Sequence, residues 1–238
     1  MHRVVQGVAS DLLARIDRLG GLNVPHLILG KILAQAYDTA AYKIAADDLL
    51  AQHKVDILFH ALGAGVVMHD ERRVDALMVE TKSGRQAVRA GVFIDCSGDG
   101  DLAAWAGAPF EVGDNDGHML YPSMMFRLNG IDPDKAGDAW RTIPALMEKA
   151  VAAGTHAFPR KGAIVRPQKS GIEWRVNFTQ LSRIDGRAIS GLEPDDLTRG
   201  EIDGRRQAVE AFEFLRTVPG FEKSYIVDLP PQLGIRET

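Results

Sequence analysis

The chain has 238 residues, is 45% hydrophobic and 25% charged, and carries a formal net charge of −4. This composition excludes global disorder, and its acidic balance excludes sequence-independent nucleic-acid binding, which rests on clustered Lys and Arg. No apolar run reaches the roughly 18 residues of a membrane helix, no signal-peptide core follows Met1, and the single Cys96 excludes an internal disulfide or a Cys₄ site, pointing to a reducing, cytoplasmic setting.

The first third reads as helix, helix, strand. Val8, Leu12, Leu13, Ile16 and Leu19 share a helical face, and Gly20-Gly21 stops that helix. Residues 23–30 are apolar and broken by Pro25. A second helix is predicted over 39–51, burying Ala41, Ile44, Ala45 and Leu49, and a strand over 55–60. Three more strands, 65–69, 74–81 and 86–96, are separated by polar turns at 70–73 and 82–85. This spacing predicts an antiparallel meander. Its last strand carries the buried run Val92-Phe93-Ile94, enters a Gly-rich turn at 97–101 and leads to a short helix at 102–106. Gly107 and Pro109 stop that helix.

The acidic loop 111–117 is the candidate boundary between two domains, 1–110 and 111–238. The second half is predicted as a strand at 121–128, a helix at 136–153, and a hairpin of 163–167 and 171–179 closed at Gln168-Lys169-Ser170. In its second arm Ile172, Trp174, Val176 and Phe178 share a buried face, and Glu173, Arg175, Asn177 and Thr179 a polar one. A long helix is expected to open on the capping box Thr198-Arg199-Gly200-Glu201, with Leu197 and Ile202 as its hydrophobic staple. Ile202, Val209, Phe212 and Leu215 form its apolar stripe, Pro219-Gly220 end it, and a last strand covers 224–229.

Gly98-Asp99-Gly100-Asp101-Leu102-Ala103 matches G-x-G-x-x-G/A between a strand and a helix. The surrounding pattern departs from a dinucleotide fingerprint. The helix is short, no parallel strand follows, and Asp99 and Asp101 would face phosphates. Two readings remain: a structural turn, or a turn touching a ligand bound elsewhere. Asp95, Ser97 and Asp99 begin like a calcium loop, but Ala106 holds the twelfth position, where a carboxylate is required. The histidines show no metal-ligand spacing. His60, at a strand end, reads as a hydrogen-bonded core residue. His118, beside Asp114, Asp116 and Tyr121, reads as a solvated loop residue or a substrate contact. Cys96 reads as a buried small hydrophobe. No nucleophile elbow or Walker A loop is present. The face bearing Glu173, Arg175 and Asn177 could be solvated or could recognise a carboxylate or carbonyl, and Arg236 is open to the same two readings.

Residues 92–109, VFIDCSGDGDLAAWAGAP, resemble a hallmark of the FAD-dependent oxidoreductases of the glutathione-reductase-like group, with Cys96-Ser97-Gly98 where that family usually has Ala-Thr-Gly. Three further stretches are similar to the family, in its order: 49–61; Asp196-Leu197-Thr198-Arg199-Gly200-Glu201 with Gly204-Arg205-Arg206-Gln207; and 232–238, like a Q-x-G-x-R-E-T segment. The resemblance implies an α/β fold: an incomplete FAD-binding Rossmann-like sheet crossed by the meander, followed by an α+β substrate or cap domain. It implies that Gly63, Ala64, Ser97, Gly98 and Asp99 approach FAD, since glycine permits close backbone contact. Guanidinium groups hold carboxylates bidentately, so Arg127, Arg175 and Arg236, with Asn177, are the candidate anchors of a small-molecule substrate. No catalytic acid or base is identified, and no metal ligand.

The family's opening strand and G-x-G-x-x-G unit, and its last flavin-contacting segment, are not found in the sequence. The chain is therefore expected to correspond to the middle of a flavoprotein and to bind FAD weakly or not at all by itself. The alternative is a non-catalytic interaction module, or half of a split flavoprotein completed by a partner chain. Neither nucleic acid nor membrane is an expected partner.

Overall fold

The computed structural model describes residues 6–28 and 30–236. In chain order the elements are α1 (Val8–Arg18), β1 (His26–Ile28), β2 (Ile32–Ala34), α2 (Thr39–Gln52), β3 (Ala61–Asp70), β4 (Arg73–Thr81), β5 (Gly84–Arg89), α3 (Asp101–Trp105), β6 (Phe126–Asn129), α4 (Pro133–Ala136), α5 (Ala139–Ala152), β7 (Ile164–Pro167), β8 (Trp174–Asn177), α6 (Pro194–Leu215) and β9 (Tyr225–Asp228). This is the mixed α/β composition expected. The expected end of the family-like segment, Glu237-Thr238, lies outside the described residues. The contacts define two compact units. One runs through Lys54 and resumes at Leu120–Arg236; the other is Val55–Met119. The described residues up to Lys54 thus group with the second half of the chain, a division different from the expected 1–110 and 111–238.

The larger unit is built on a sheet of order β7-β8-β6-β9. All of its ladders are antiparallel. Its core gathers Phe126 and Leu128 from β6, Trp174 and Val176 from β8, Ile143 and Met147 from α5, and Phe214 and Leu215 from α6. Trp174 meets Phe221 edge-to-face at 5.2 Å, and Phe214 meets Phe158 the same way at 5.0 Å, the arrangement that ring quadrupoles favour. The hairpin forms as expected and Trp174, Val176 and Phe178 face inward, but Ile172 is exposed beyond the ladder. The polar face is not uniformly wet: Asn177 and Thr179 are buried. Thr179 Oγ1 accepts from Met124 N at 2.7 Å, and Asn177 Nδ2 donates to Ser123 Oγ at 3.1 Å. These bonds satisfy polar groups that would otherwise be costly to bury.

The long helix begins earlier than expected. Pro194 occupies its first turn and Glu193 its N-cap position, where the missing proline N–H costs no hydrogen bond. Thr198 therefore lies inside the helix, its hydroxyl donating to Pro194 O at 2.8 Å, and there is no Thr198 capping box. The apolar stripe also differs. Ile202 and Val209 are exposed, and the buried face is Gly200, Gly204, Gln207, Ala208, Ala211 and Leu215. Small residues at intervals of about four bring the helix backbone close to its neighbours. A Cβ on Gly204 would lie 3.0 Å from Met124 Cε, and one on Gly200 2.9 Å from both Ile189 and Leu233.

In the N-terminal part of this unit, α1 and α2 pack through Ile16, Ala41 and Ala45. Gly21 ends α1 where a Cβ would lie 2.4 Å from Ala41 Cβ. Asp38 caps α2 by accepting from Ala41 N at 2.8 Å. Ala41, Ala45 and Leu49 are buried as expected, whereas Ile44 is exposed because it projects away from the α1 seam.

The smaller unit contains the expected meander, β3-β4-β5. Its turns follow from their residues: Asp70 Oδ1 accepts from Arg72 N at 2.9 Å, and Thr81 Oγ1 donates to Gly84 O at 2.8 Å. Residues 55–60 and 90–96 are not strands. They have apolar strand composition, but a strand exists only where another strand accepts its backbone bonds, and neither segment has a ladder partner among the described residues. Ile57, Leu58, Phe59, Val92 and Ile94 are consequently exposed. Cys96 is exposed, not buried. His60 is exposed too, and turns the chain into β3 with φ 54°.

Candidate functional site

In the smaller unit β5 ends and the chain enters the turn 97–100. Asp95 organises it. Its Oδ1 accepts from Ser97 N at 3.0 Å and Ser97 Oγ at 2.7 Å, while Oδ2 accepts from Ala103 N at 3.0 Å. Ser97 Oγ accepts in turn from Asp101 N at 3.0 Å. The Ser97 N–H, then the Ser97 hydroxyl and the Ala103 N–H, hold the Asp95 carboxyl below its ordinary range. Within this clasp Gly98 and Gly100 adopt φ 107° and 77°, which L side chains rarely occupy. A Cβ at either glycine would meet no atom within 4 Å. The glycines are therefore required by conformation, and they leave the turn's backbone open.

Gly63 and Ala64 lie on β3, where the register shifts between Gly63 and Gly65. A Cβ on Gly63 would be 3.8 Å from the Trp105 ring of α3. The five expected cofactor residues thus share one unit, two on β3 and three in the turn that precedes α3. The open turn fits a cofactor that approaches backbone. It does not supply a phosphate cradle: α3 has five residues, and Asp99 and Asp101 border the turn. Sequence reading placed Asp95 in a calcium-like pattern and missed its actual part as the clasp. The recurrence of Asp and Ser two residues apart before a glycine was the available signal.

Farther along this unit Asp114 accepts from His118 N at 2.8 Å and Asp116 N at 3.0 Å. The His118 N–H is the main cause of its lowered pKa. Ligand atoms of Asp114, Asp116 and His118 lie within 4.8 Å of one another, all exposed. Asp114 closes its own turn, as an aspartate at a loop corner commonly does.

The larger unit carries a second site, on its sheet. Register places Arg166 of β7 opposite Arg175 of β8, and Arg175 opposite Arg127 of β6. Three arginines form a row across the strands. Arg127 donates to Glu173 at 2.9 Å and ion-pairs with Asp228 at 3.2 Å. Burial works against its charge, but Glu173 and Asp228 outweigh it and raise its pKa. Arg175 differs: its Nε is buried without a hydrogen-bond partner. Arg166 stacks on the Trp140 ring at 4.5 Å and donates to Val165 O at 2.9 Å. Burial, then the like charge of Arg175, lowers its pKa.

These arginines line a cavity of about 460 Å³, closed on another side by the segment 34–39. A second cavity of the same size shares Arg166 and Arg175 and reaches Trp140. The structure therefore brings the expected residues Arg127 and Arg175 together. Asn177 is engaged with Ser123, and Arg236 is exposed and lines neither cavity. Arg166 was not singled out from sequence, because its partnership with Arg175 exists only through the ladder register.

The family-like residues of the larger unit converge elsewhere. Glu201 of α6 accepts from Leu233 N at 2.6 Å, and Gly234 exchanges backbone bonds with Ser123 at 2.8 and 3.1 Å. Asp196 is buried between Arg183 and Arg199. Burial pushes its pKa up, but the hydrogen bonds from Arg183, Ser190 N–H and Arg199 prevail and hold it down. Glu201 thus binds α6 to the last described segment, Gly234 ties that segment to Ser123, and Asp196 ties α6 to Arg183 and Ser190.

The chain matches the family of FAD dependent oxidoreductases over residues 1–238. It belongs to that family, whose cofactor is FAD. No curated protein matched it. Two solved structures are similar. MibH, a tryptophan 5-halogenase, is 16% identical with a TM-score of 0.43, aligned over 89% of this chain and 32% of its own. BexE, studied for oxidation during BE-7585A biosynthesis, is 15% identical with a TM-score of 0.46, aligned over 92% and 41%. The chain spans about a third to two-fifths of the length of these structures. No helix among the described residues is long and apolar enough to cross a membrane.

Proposed function

We propose that this chain forms the central portion of a flavin-dependent oxidoreductase, in which FAD exchanges a hydride with a small-molecule substrate. The observation that carries the reading is the match to the FAD family across all 238 residues. The open Gly98–Gly100 turn supports it. Bound FAD would supply the two-electron chemistry, and the protein would supply position and electrostatics. Ser97, Gly98 and Asp99, with Gly63 and Ala64, are the residues that would approach the cofactor. The larger unit would receive the substrate. Its anchors are drawn from the row containing Arg127 and Arg175, with Asn177 positioning the strand and Arg236 a further anchor outside the cavity. The single exposed Cys96 suits a reducing, cytoplasmic compartment.

FAD binding by this chain alone is expected to be weak, since the smaller unit offers no phosphate cradle. The chain is mixed with FAD and desalted, and flavin absorbance is read. Little flavin should remain. A longer protein that adds a strand–glycine-rich–helix unit should retain flavin stoichiometrically, and Gly98→Val should reduce it. Stoichiometric flavin on the 238-residue chain would overturn the dependence on a further segment. No flavin on the longer protein would overturn the cofactor assignment.

One observation favours a second reading, half of a split flavoprotein. The apolar segments 55–59 and 92–94 have no ladder partner among the described residues, so a partner strand could cover them. Light scattering distinguishes the two: a monodisperse, soluble 26 kDa monomer counts against the split reading.

A further inference from the structure

We infer that Arg166 and Arg175 form a binding site for the single carboxylate of a small molecule with an apolar or aromatic body. Three observations carry this. Arg166 and Arg175 stand directly opposite each other in the β7–β8 ladder, where like charges repel. Neither makes a carboxylate ion pair among the described residues, whereas Arg127, next in the same row, has two. The buried Nε of Arg175 has no partner, and an unmet buried donor is retained at a cost unless something satisfies it.

The arrangement also specifies the ligand. Trp140 holds the Arg166 guanidinium by stacking, and Val165 O takes one of its donors, so the group is fixed before a ligand arrives. The planar fork of arginine matches a carboxylate. Ala34, Ala36 and Tyr37 supply apolar wall to the first cavity, and a volume of about 460 Å³ is in the range of small-ligand pockets. Asp38 and Glu173 border the same cavity. Glu173 is engaged by Arg127 and Asp38 caps α2, and both disfavour a ligand bearing a second anionic group. The result is a monoanion site with one cationic end.

This site deepens the proposed function by naming the class of its substrate, and rests on that reading only for the word substrate. Binding of the anion requires no flavin. The test is calorimetric titration of the 238-residue chain, without FAD, at fixed ionic strength, with benzoate, neutral benzamide and inorganic phosphate as probes. Benzoate should bind, and benzamide and phosphate should bind at least tenfold more weakly. Arg166→Gln and Arg175→Gln should each weaken benzoate by about tenfold or more, the usual scale for a lost charged hydrogen bond. Arg72→Gln, in the exposed β3–β4 turn of the smaller unit, is the control and should leave it unchanged.

Thermal melting separates a ligand role from a structural one. Without ligand, Arg175→Gln should melt no lower than wild type, because it relieves the Arg166–Arg175 repulsion and removes the orphaned donor. It should lose the benzoate-dependent rise. A lower melting point with the rise intact would overturn the site, as would no benzoate binding by wild type. Equal binding of benzamide or phosphate would overturn the ligand class. If either Gln variant fails to fold, Arg175→Lys replaces it; retained benzoate affinity there would refute the requirement for the planar fork. Flavin retention is measured separately, so failure of this site leaves the FAD assignment standing, and the reverse.

Discussion

Replacing Gly220 with alanine probes how tightly the segment after α6 is seated. Gly220 is buried at φ 87°, where a Cβ would lie 2.5 Å from Ala136 N and 2.8 Å from both Ala136 Cα and Asp132 O. All three are backbone atoms, so no rotamer change relieves the contact. Its carbonyl also accepts from Asp132 N at 2.9 Å. Left-handed backbone costs an alanine about 1–2 kcal/mol, and a forced backbone shift in a packed region about 1–3 kcal/mol. The expected loss is therefore about 2–5 kcal/mol. Gly186 supplies the control. It has φ 83° but is exposed, with no atom within 4 Å of an added Cβ. Gly186→Ala should cost only the conformational part, about 1–2 kcal/mol. Urea unfolding followed by circular dichroism measures both, with the slope m checked for constancy. Equal losses in the two variants would refute the claim that contact with the Asp132–Ala136 backbone matters.

Asp196→Ala removes a buried acceptor shared by Arg183, Arg199 and Ser190 N–H, and should lower stability by about 2–4 kcal/mol in the same denaturation assay. Because the Asp196 pKa is depressed in the folded state, its contribution is complete above the ordinary value of 3.8 and fades as pH falls through the lower folded value. Asp196→Asn should accordingly flatten the acid limb of the stability curve below that pH. Asp95→Ala should accelerate amide hydrogen exchange at Ser97 and Ala103, whose N–H groups donate to the Asp95 carboxylate; these bonds hold the Asp95 pKa below its ordinary value, so Asp95 stays ionised to lower pH than a free aspartate. Phe214→Ala deletes the ring that meets His156, Phe158 and Phe178, and should cost about 3–5 kcal/mol by urea unfolding.

What could be read from residues alone followed the range of the interactions involved. The meander was legible because its turns are closed by neighbours, Asp70 to Arg72 and Thr81 to Gly84. The β7–β8 hairpin was legible for the same reason. Helix α6 was legible in its position but not in its orientation, because its large apolar residues Ile202 and Val209 do not mark the buried face. Its packing is set by Gly200, Gly204 and Ala208, whose value is what they leave out. Segments 55–60 and 90–96 have strand composition, but composition does not provide a ladder partner. Arg175 was legible from alternation along β8. The contrast that distinguishes it from Arg127 was not, since Arg127 is neutralised by residues 46 and 101 positions away.

That last separation matters while the chain is being made. β6 lies between β8 and β9 in the sheet, yet its contact Arg127–Asp228 spans 101 residues. At about 5–20 residues per second, roughly 5–20 seconds pass after β6 leaves the ribosome before β9 can close its second edge. Through that interval Phe126 and Leu128, fully buried in the finished sheet, sit beside an open row of backbone donors and acceptors, the geometry that recruits another strand. Slower initiation, which leaves fewer chains with that edge open at one time, should therefore raise soluble yield.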